Sequence, residues 1–284
     1  MSVTVKALQR FLTRQAGLAF EGDQLYLAES RLLPLAERSG FSGVNALVAE
    51  LQREADPELT RAALEAMTTH ETFFFRDRTP FDQFRAVMLP KLLAARAETR
   101  RLRIWCTAAS TGQEAYSLAM LLDEEARSLA GWNIEILATD LSHAVIDVAR
   151  AGIYSQFEVQ RGLPITHLLR YFRREGEGWR LNEHIRARVS FRPFNLIHDF
   201  SRLGVFDVIF CRNVLIYLEA AARQNVMKRL VPMLAPDGYL ALGATEAIGL
   251  AMPGIVPLPF HGSLGVKATA MAQQRPPMRL VAAR

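Results

Sequence analysis

Along residues 1 to about 66 the apolar positions recur with helical spacing. Val5, Leu8, Phe11 and Leu12 fall on one face of a first helix, and Lys6, Arg10 and Arg14 recur at i, i+4 and i+8 on the opposite face. After a turn at Phe20–Asp23 a second helix is expected from about Gln24 to Glu37. A third spans Val44 to Glu54 with Ser42 as its cap. A fourth runs from Pro57 to Met67, with Asp56 as cap and Pro57 at the first helical position. A further helical stretch starts near Thr79-Pro80 and reaches about Arg96. The period then changes. Leu102, Ile104, Trp105 and Cys106 make a short apolar run, Thr107 to Gly112 are small residues, and Tyr116, Leu118, Ala119, Leu121 and Leu122 resume a helical pattern. Strand, small-residue loop and helix form the opening unit of a doubly wound α/β domain, in which small residues let a ligand approach the backbone.

More strands follow. Ile134–Ala138 ends at Thr139-Asp140, Val189–Phe194 at Asn195-Leu196, and Phe206–Cys211 at Arg212-Asn213. Tyr239–Gly243, entered through a turn at Pro236–Gly238, ends at Ala244-Thr245-Glu246. Helices are expected over Ser142–Arg150 and Ala220–Leu234. Between the second and third strands lies a short helix, Pro164–Leu169. Two short strands then surround a glycine-containing turn in Tyr171–Leu181, and Ile185–Val189 is expected to add a third. This β insertion, about 170–188, is rich in arginine. A last strand is expected at Ser263–Val266. The pattern therefore divides the chain into a helical unit, 1–67, an α/β domain, 68–267, and a tail, 268–284, without periodicity and expected to be disordered.

Composition narrows this picture. Half of the 284 residues are hydrophobic, enough for a sizeable core. No apolar run approaches the ~20 residues that a membrane span requires, and charge interrupts the N-terminal apolar residues, unlike a signal sequence. Cys106 and Cys211 both sit in apolar runs, which suits buried, reduced thiols of a cytoplasmic protein. The six histidines show no metal-ligand spacing, so no metal is expected. The formal charge of +5 favours an anionic partner. There is no Lys/Arg block or basic–aromatic interleaving, which disfavours nucleic acid. Residues 1–66 hold seven Lys/Arg against nine Asp/Glu, so apart from the Lys6/Arg10/Arg14 stripe the basic excess lies elsewhere. That stripe is either a solvated face or a docking surface for an acidic partner.

Two segments carry candidate chemistry. In Thr68–Asp77 three consecutive phenylalanines are bracketed by His70, Thr72 and Arg76, as in one wall of a site or in a linker that packs its rings. Asp140, at the end of the second strand, either holds ribose hydroxyls or caps the next helix. All five core strands stop at polar or small clusters, and in open α/β sheets ligands bind beyond the carboxyl ends of the strands. A nucleoside-containing ligand across that edge is the expectation. Gly-x-Gly-x-x-Gly is absent, so the loop does not by itself indicate a dinucleotide fold, and the absence of Gly-x-x-x-x-Gly-Lys-[Ser/Thr] argues against a P-loop triphosphate site.

Thr-Thr-His-Glu-Thr-Phe-Phe-Phe-Arg-Asp, Ala-Ala-Ser-Thr-Gly-Gln-Glu-Ala-Tyr-Ser and Phe-Cys-Arg-Asn-Val-Leu-Ile-Tyr resemble, in order and spacing, motifs of the CheR family of chemotaxis receptor glutamate methyltransferases. The resemblance covers about residues 5 to 267. It implies a Rossmann-like S-adenosylmethionine-dependent methyltransferase domain that esterifies glutamate side chains on chemoreceptor cytoplasmic helices, yielding the methyl ester and S-adenosylhomocysteine. By resemblance, His70, Thr72 and Arg76 line the cofactor site and Glu114 faces its methionine or sugar end. Asp140 holds the ribose, and Asn195 with Leu196 and Asn213 with Val214 frame the adenine and methionine parts. Tyr217 and Arg76 are the candidates near the transferred methyl and the incoming carboxylate. Some members carry Asn where His70 stands, Glu where Gln113 stands and Pro where Ala115 stands. The resemblance further implies docking of Lys6, Arg10 and Arg14 to a receptor, a receptor C-terminal peptide as a candidate ligand of the β insertion, and a cytoplasmic protein recruited to receptor arrays. A same-fold enzyme with another acceptor, and a non-catalytic S-adenosylmethionine-binding signalling module, are the competing expectations.

Overall fold

The structure is a computed structural model describing residues 3–20, 25–246, 252–259 and 261–268. The expected turn at Phe20–Asp23 and the tail past residue 268 fall largely or wholly outside the described residues.

Helices α1 (Val3–Ala16), α2 (Leu25–Arg38), α3 (Val44–Leu51) and α4 (Pro57–Met67) pack around a core of their own that includes Leu8, Phe11, Leu12, Leu32, Leu47 and Ala63. The Asp56 carboxylate accepts the N–H groups of Glu58 and Leu59, so the cap read from Asp56-Pro57 is present. Gly43, not Ser42, precedes α3, and no side chain caps it. This helix stops at Leu51 instead of Glu54, where φ is +51° and the helix cannot continue.

The expected single helix from Thr79 to Arg96 is interrupted. It consists of α5 (Thr79–Gln83), a π-helical turn (Phe84–Met88) and α6 (Leu89–Ala95). Pro90 has no N–H to give the preceding turn, and the N–H of Leu89 reaches back to the Phe84 carbonyl.

Then come β1 (Arg101–Cys106), α7 (Gln113–Glu124), β2 (Asn133–Asp140) and α8 (His143–Ala151). The insertion follows: β3 (Ile153–Tyr154), α9 (Gln156–Gln160), α10 (Ile165–Tyr171), β4 (Phe172–Glu175), β5 (Gly178–Leu181) and α11 (Glu183–Arg186). The chain returns through β6 (Val189–Pro193), β7 (Phe206–Cys211), α12 (Ala220–Leu230), β8 (Leu234–Leu242), β9 (Ile255–Leu258) and β10 (His261–Lys267).

The main sheet is seven-stranded, in the order β6-β2-β1-β7-β8-β10-β9. Its first five strands are parallel, and β10 and β9 add antiparallel pairs at one edge. Two apolar cores cover its faces, one containing Phe84, Tyr116 and Phe210 and the other Trp105, Ile209 and Leu240. The strand order reverses on either side of β1, and a crevice therefore opens at its carboxyl end.

Three expectations are corrected. The third strand of the small sheet, ordered β3-β5-β4, is Ile153–Tyr154 and not Ile185–Val189. Glu183–Arg186 instead close a helical turn in which the Ala187 N–H bonds to the Glu183 carbonyl. Pro236–Gly238 are a bulge within β8, where the register jumps from Phe206–Leu234 to Val208–Tyr239. Helix α12 ends at Leu230, and Pro232 lies in a 3₁₀ turn that follows.

The segment after α1 ties the helical unit to the sheet. Leu18 and Leu218 form a bridge, Ala19 N–H donates to the Tyr217 carbonyl at 2.8 Å, and Glu219 N–H to the Gly17 carbonyl at 2.8 Å. Gly17 has φ +66°, and a Cβ there would lie 2.8 Å from both Ala222 Cβ and Ile197 Cγ2. Gly17→Ala is therefore expected to cost about 2–4 kcal/mol from backbone strain and overpacking together. A chemical-denaturation midpoint equal to that of the parent would contradict this.

Candidate functional site

One pocket at the carboxyl ends of β1, β2, β6 and β7 is lined by His70, Thr72, Arg76, Glu114, Asp140, Asn195, Leu196, Asn213, Val214 and Tyr217. Residues singled out by sequence from five separate stretches thus converge. Lys6, Arg10 and Arg14 do not belong to it. They are exposed along α1, where Arg14 pairs with Glu54, while Leu12 and Ala16 of the same helix reach the pocket lining.

Asp140 is 7% exposed. Its Oδ2 accepts the Ser110 N–H at 2.8 Å and its Oδ1 the Ser142 N–H at 3.1 Å. The cap of α8 is Ser142, whose hydroxyl accepts the Val145 N–H. Of the two roles open to Asp140, capping the helix thus belongs to its neighbour. Two carboxylate oxygens offer four acceptor lone pairs in all, so these bonds leave the carboxylate room for a further donor. Burial pushes the Asp140 carboxyl above the usual range, opposed chiefly by the backbone N–H groups of Ser142 and Ser110.

The small-residue loop has a second task. Gly112 has φ +97°, and a Cβ there would approach Ala149, Tyr116 and Phe191 at 3.0–3.2 Å. This glycine serves the packing of α7. Thr107, Ala108 and Ser110 are the loop residues that line the pocket.

Glu114 sits in the first turn of α7, where a carboxylate is favoured by the helix dipole. It pairs with Arg212 at 2.7 Å. Burial pushes its carboxyl up, and Arg212 opposes that shift. The Arg212 side chain, 1% exposed, also pairs with Asp77 at 2.7 Å and donates to the Arg76 carbonyl at 2.8 Å. It thereby fastens the phenylalanine-rich segment to α7.

That segment both packs its rings and faces the pocket. Phe74 packs edge-on against Tyr154 and Phe172, and Phe75 against Phe81, while His70, Thr72 and Arg76 line the pocket. Phe75, Asp77 and Arg78 all have positive φ, and the Phe75 N–H is satisfied by the Ser117 hydroxyl at 3.0 Å. Backbone strain of this kind concentrates at functional segments. Arg76 donates to the Glu71 carbonyl at 2.7 Å and lies over the Phe73 ring.

On the opposite wall, the Asn195 side chain is committed within the protein. Its Nδ2 donates to the Gln15 carbonyl at 2.7 Å, and its Oδ1 accepts the Ile197 N–H. Beside it Leu141, Phe194 and Leu196 supply apolar surface. Asn213 has φ +56° and begins the irregular stretch to Tyr217, which is 39% exposed.

Sequence reasoning missed Arg212, Glu246 and Arg31. Arg31 of α2 lines the pocket and donates to the carbonyls of Met67 and Thr68 and to the Thr69 hydroxyl. Glu246 accepts backbone N–H groups around Asn213. The position of Arg212 next to Asn213, and of Glu246 at a strand end, was the available signal. Among the described residues no cluster of His, Cys, Asp and Glu is placed to hold a metal, and no helix is long and apolar enough to cross a membrane.

Residues 70–255 match the family described as CheR methyltransferase, SAM binding domain. The chain is similar to chemotaxis protein methyltransferase 1 of Pseudomonas aeruginosa, 41% identical over 242 residues that span 84% of this chain and 88% of that one. Chemotaxis protein methyltransferase Cher2 of Pseudomonas putida is 39% identical over 242 residues, 84% and 88% of the two chains. Chemotaxis protein methyltransferase 1 of Vibrio cholerae is 38% identical over 242 residues, 84% and 87% of the two.

Proposed function

The chain belongs to the CheR methyltransferase family, and on that premise we propose that it transfers the methyl group of S-adenosylmethionine to glutamate side chains on chemoreceptor cytoplasmic helices. The observation that carries the proposal is the convergence of the Phe-rich segment and the ends of β1, β2, β6 and β7 on one pocket. The residues present suit the cofactor. Asp140, a carboxylate at the end of β2 that lines the pocket, suits the ribose hydroxyls. Leu141, Phe194 and Leu196 suit the adenine ring. Glu114, in the first turn of α7, suits the cationic methionine end.

Bound there, the sulfonium supplies an activated methyl group. A glutamate with a pKa near ~4.3 is already ionised at neutral pH and needs no general base. Its oxygen forms the new bond to the methyl carbon while the carbon–sulfur bond breaks. That electron pair stays on sulfur, leaving the methyl ester and S-adenosylhomocysteine. The work of the chain is alignment and exclusion of water. Arg76 is proposed to hold the incoming carboxylate, and Tyr217 to line its approach. The test is the formation of S-adenosylhomocysteine by the full chain with a receptor cytoplasmic fragment, coupled to base-labile methyl on that fragment. Formation that does not depend on the fragment would point to another acceptor.

Residues 1–67, with their own core, are proposed as the docking unit, and the exposed Lys6, Arg10 and Arg14 as its contact with acidic receptor helices at the cytoplasmic face of receptor arrays. Strand β4 is an edge of the small sheet, a suitable place for a receptor's C-terminal peptide to add as a strand. Reversing all three stripe charges to Glu is expected to raise the KM for the receptor fragment about tenfold or more with kcat little changed. The parent KM is expected to rise with salt. A KM insensitive to both would remove the docking role.

A further inference from the structure

The wall from Asn213 to Tyr217 contains only a 3₁₀ turn, Leu215–Tyr217, and opens with a non-glycine residue at positive φ. Something must hold it. We infer that Glu246 is the positioning residue of this wall, and through it of Tyr217. The inference rests on the reading of the pocket as a methyl-transfer site.

Glu246 is buried in the turn that follows β8, and its carboxylate is surrounded by backbone donors. Oε2 accepts from Gly243 N–H at 2.7 Å and Asn213 N–H at 2.7 Å. Oε1 accepts from Val214 N–H at 3.0 Å and Ile216 N–H at 3.2 Å. An ionised carboxylate is the side chain suited to this, because both of its oxygens are acceptors only and each can take two donors. On the far side of the wall the Tyr217 carbonyl is gripped by Ala19 N–H. The turn before Tyr217 is therefore fixed between Glu246 and the segment leaving α1. Gly243 fits the same device: a Cβ there would lie 2.7 Å from both Asn213 Nδ2 and Glu246 Oε2.

Glu246 does not line the pocket, so its effect must pass through the wall. Glu246→Gln is nearly isosteric, yet its amide nitrogen would face two N–H donors whichever way it turns. Misplacement of a reacting geometry by about 1 Å costs on the order of a hundredfold in rate. With the full chain, S-adenosylmethionine and a receptor cytoplasmic fragment, Glu246→Gln is expected to lower kcat about a hundredfold. The KM of the fragment should stay within about fivefold, and the Kd of S-adenosylhomocysteine should rise by much less than kcat falls, because Asn213 and Val214 also line the pocket. The loss should not multiply with that of Tyr217→Ala, because residues acting as a unit are non-additive. Gly243→Ala, which crowds the same carboxylate without removing it, should reproduce the pattern and keeps the inference testable if Glu246→Gln does not fold. A kcat within threefold of the parent in a folded variant overturns the inference. So do losses that multiply with Tyr217→Ala, or losses that only follow the fraction of folded protein. A parent chain that transfers no methyl overturns the functional reading instead.

Discussion

Arg212→Met should destabilise the protein by about 3–5 kcal/mol, the largest effect expected from any single change described above. Methionine keeps the apolar bulk of the stem but leaves Glu114 buried without its cation, and it releases Asp77 and the Arg76 carbonyl. The cost has a pH signature. Burial already holds the Glu114 carboxyl above its usual value, and Arg212 opposes that shift. Without Arg212 the folded-state pKa rises further. In the window between the ordinary glutamate value, about 4.3, and that raised value, the folded chain binds a proton that the unfolded chain does not. Stability is then greatest below the window and is lost as pH rises through it. The deficit of Arg212→Met relative to the parent should therefore be largest at neutral pH and shrink on acidification. Adding Glu114→Gln should recover part of it. Urea unfolding of the parent, Arg212→Met and the double variant across the pH range checks this. A deficit that does not depend on pH would mean that the buried carboxylate is not what Arg212 compensates.

Asp140→Ala should weaken binding of S-adenosylhomocysteine about a hundredfold or more by calorimetry. A hydrogen bond to a charged group contributes roughly 1.5–3 kcal/mol, the ribose offers two, and each 1.4 kcal/mol is about tenfold. The variant also strands the N–H groups of Ser110 and Ser142, which loosens the loop that lines the pocket. Asp140→Asn keeps one acceptor oxygen and should fall between the two. Affinity within threefold of the parent in Asp140→Ala would place the nucleoside elsewhere.

Much of this architecture could be read from local pattern. Each apolar run at 102–106, 134–138, 189–194, 206–211 and 239–243 has polar or small residues where it stops. Carboxyl ends of parallel strands lie on one edge, so the residues at those stops were bound to meet. Other features depend on contacts that no local pattern displays. Nothing near Arg212 announces partners at 77 and 114. Ile153–Tyr154 is too short for alternation to show, and Ile185, apolar between His184 and Arg186, is equally at home in a strand or buried under one helical turn. Asn195 was read as a ligand contact; it lines the pocket, and its side chain also holds the end of α1. Asp140 was read as either ribose site or cap, and the adjacent Ser142 took the capping role.

The measurement that bears most directly on the central proposal is peptide mapping of a receptor cytoplasmic fragment after incubation with this protein and S-adenosylmethionine. The expected result is the mass increment of one methyl group on glutamate side chains of the fragment's helices, removed by mild base and absent with Asp140→Ala. Methyl groups on nitrogen or on any residue other than glutamate, stable to base, would contradict glutamate esterification. No methylation of the fragment by a chain that binds S-adenosylhomocysteine tightly would contradict the receptor as acceptor.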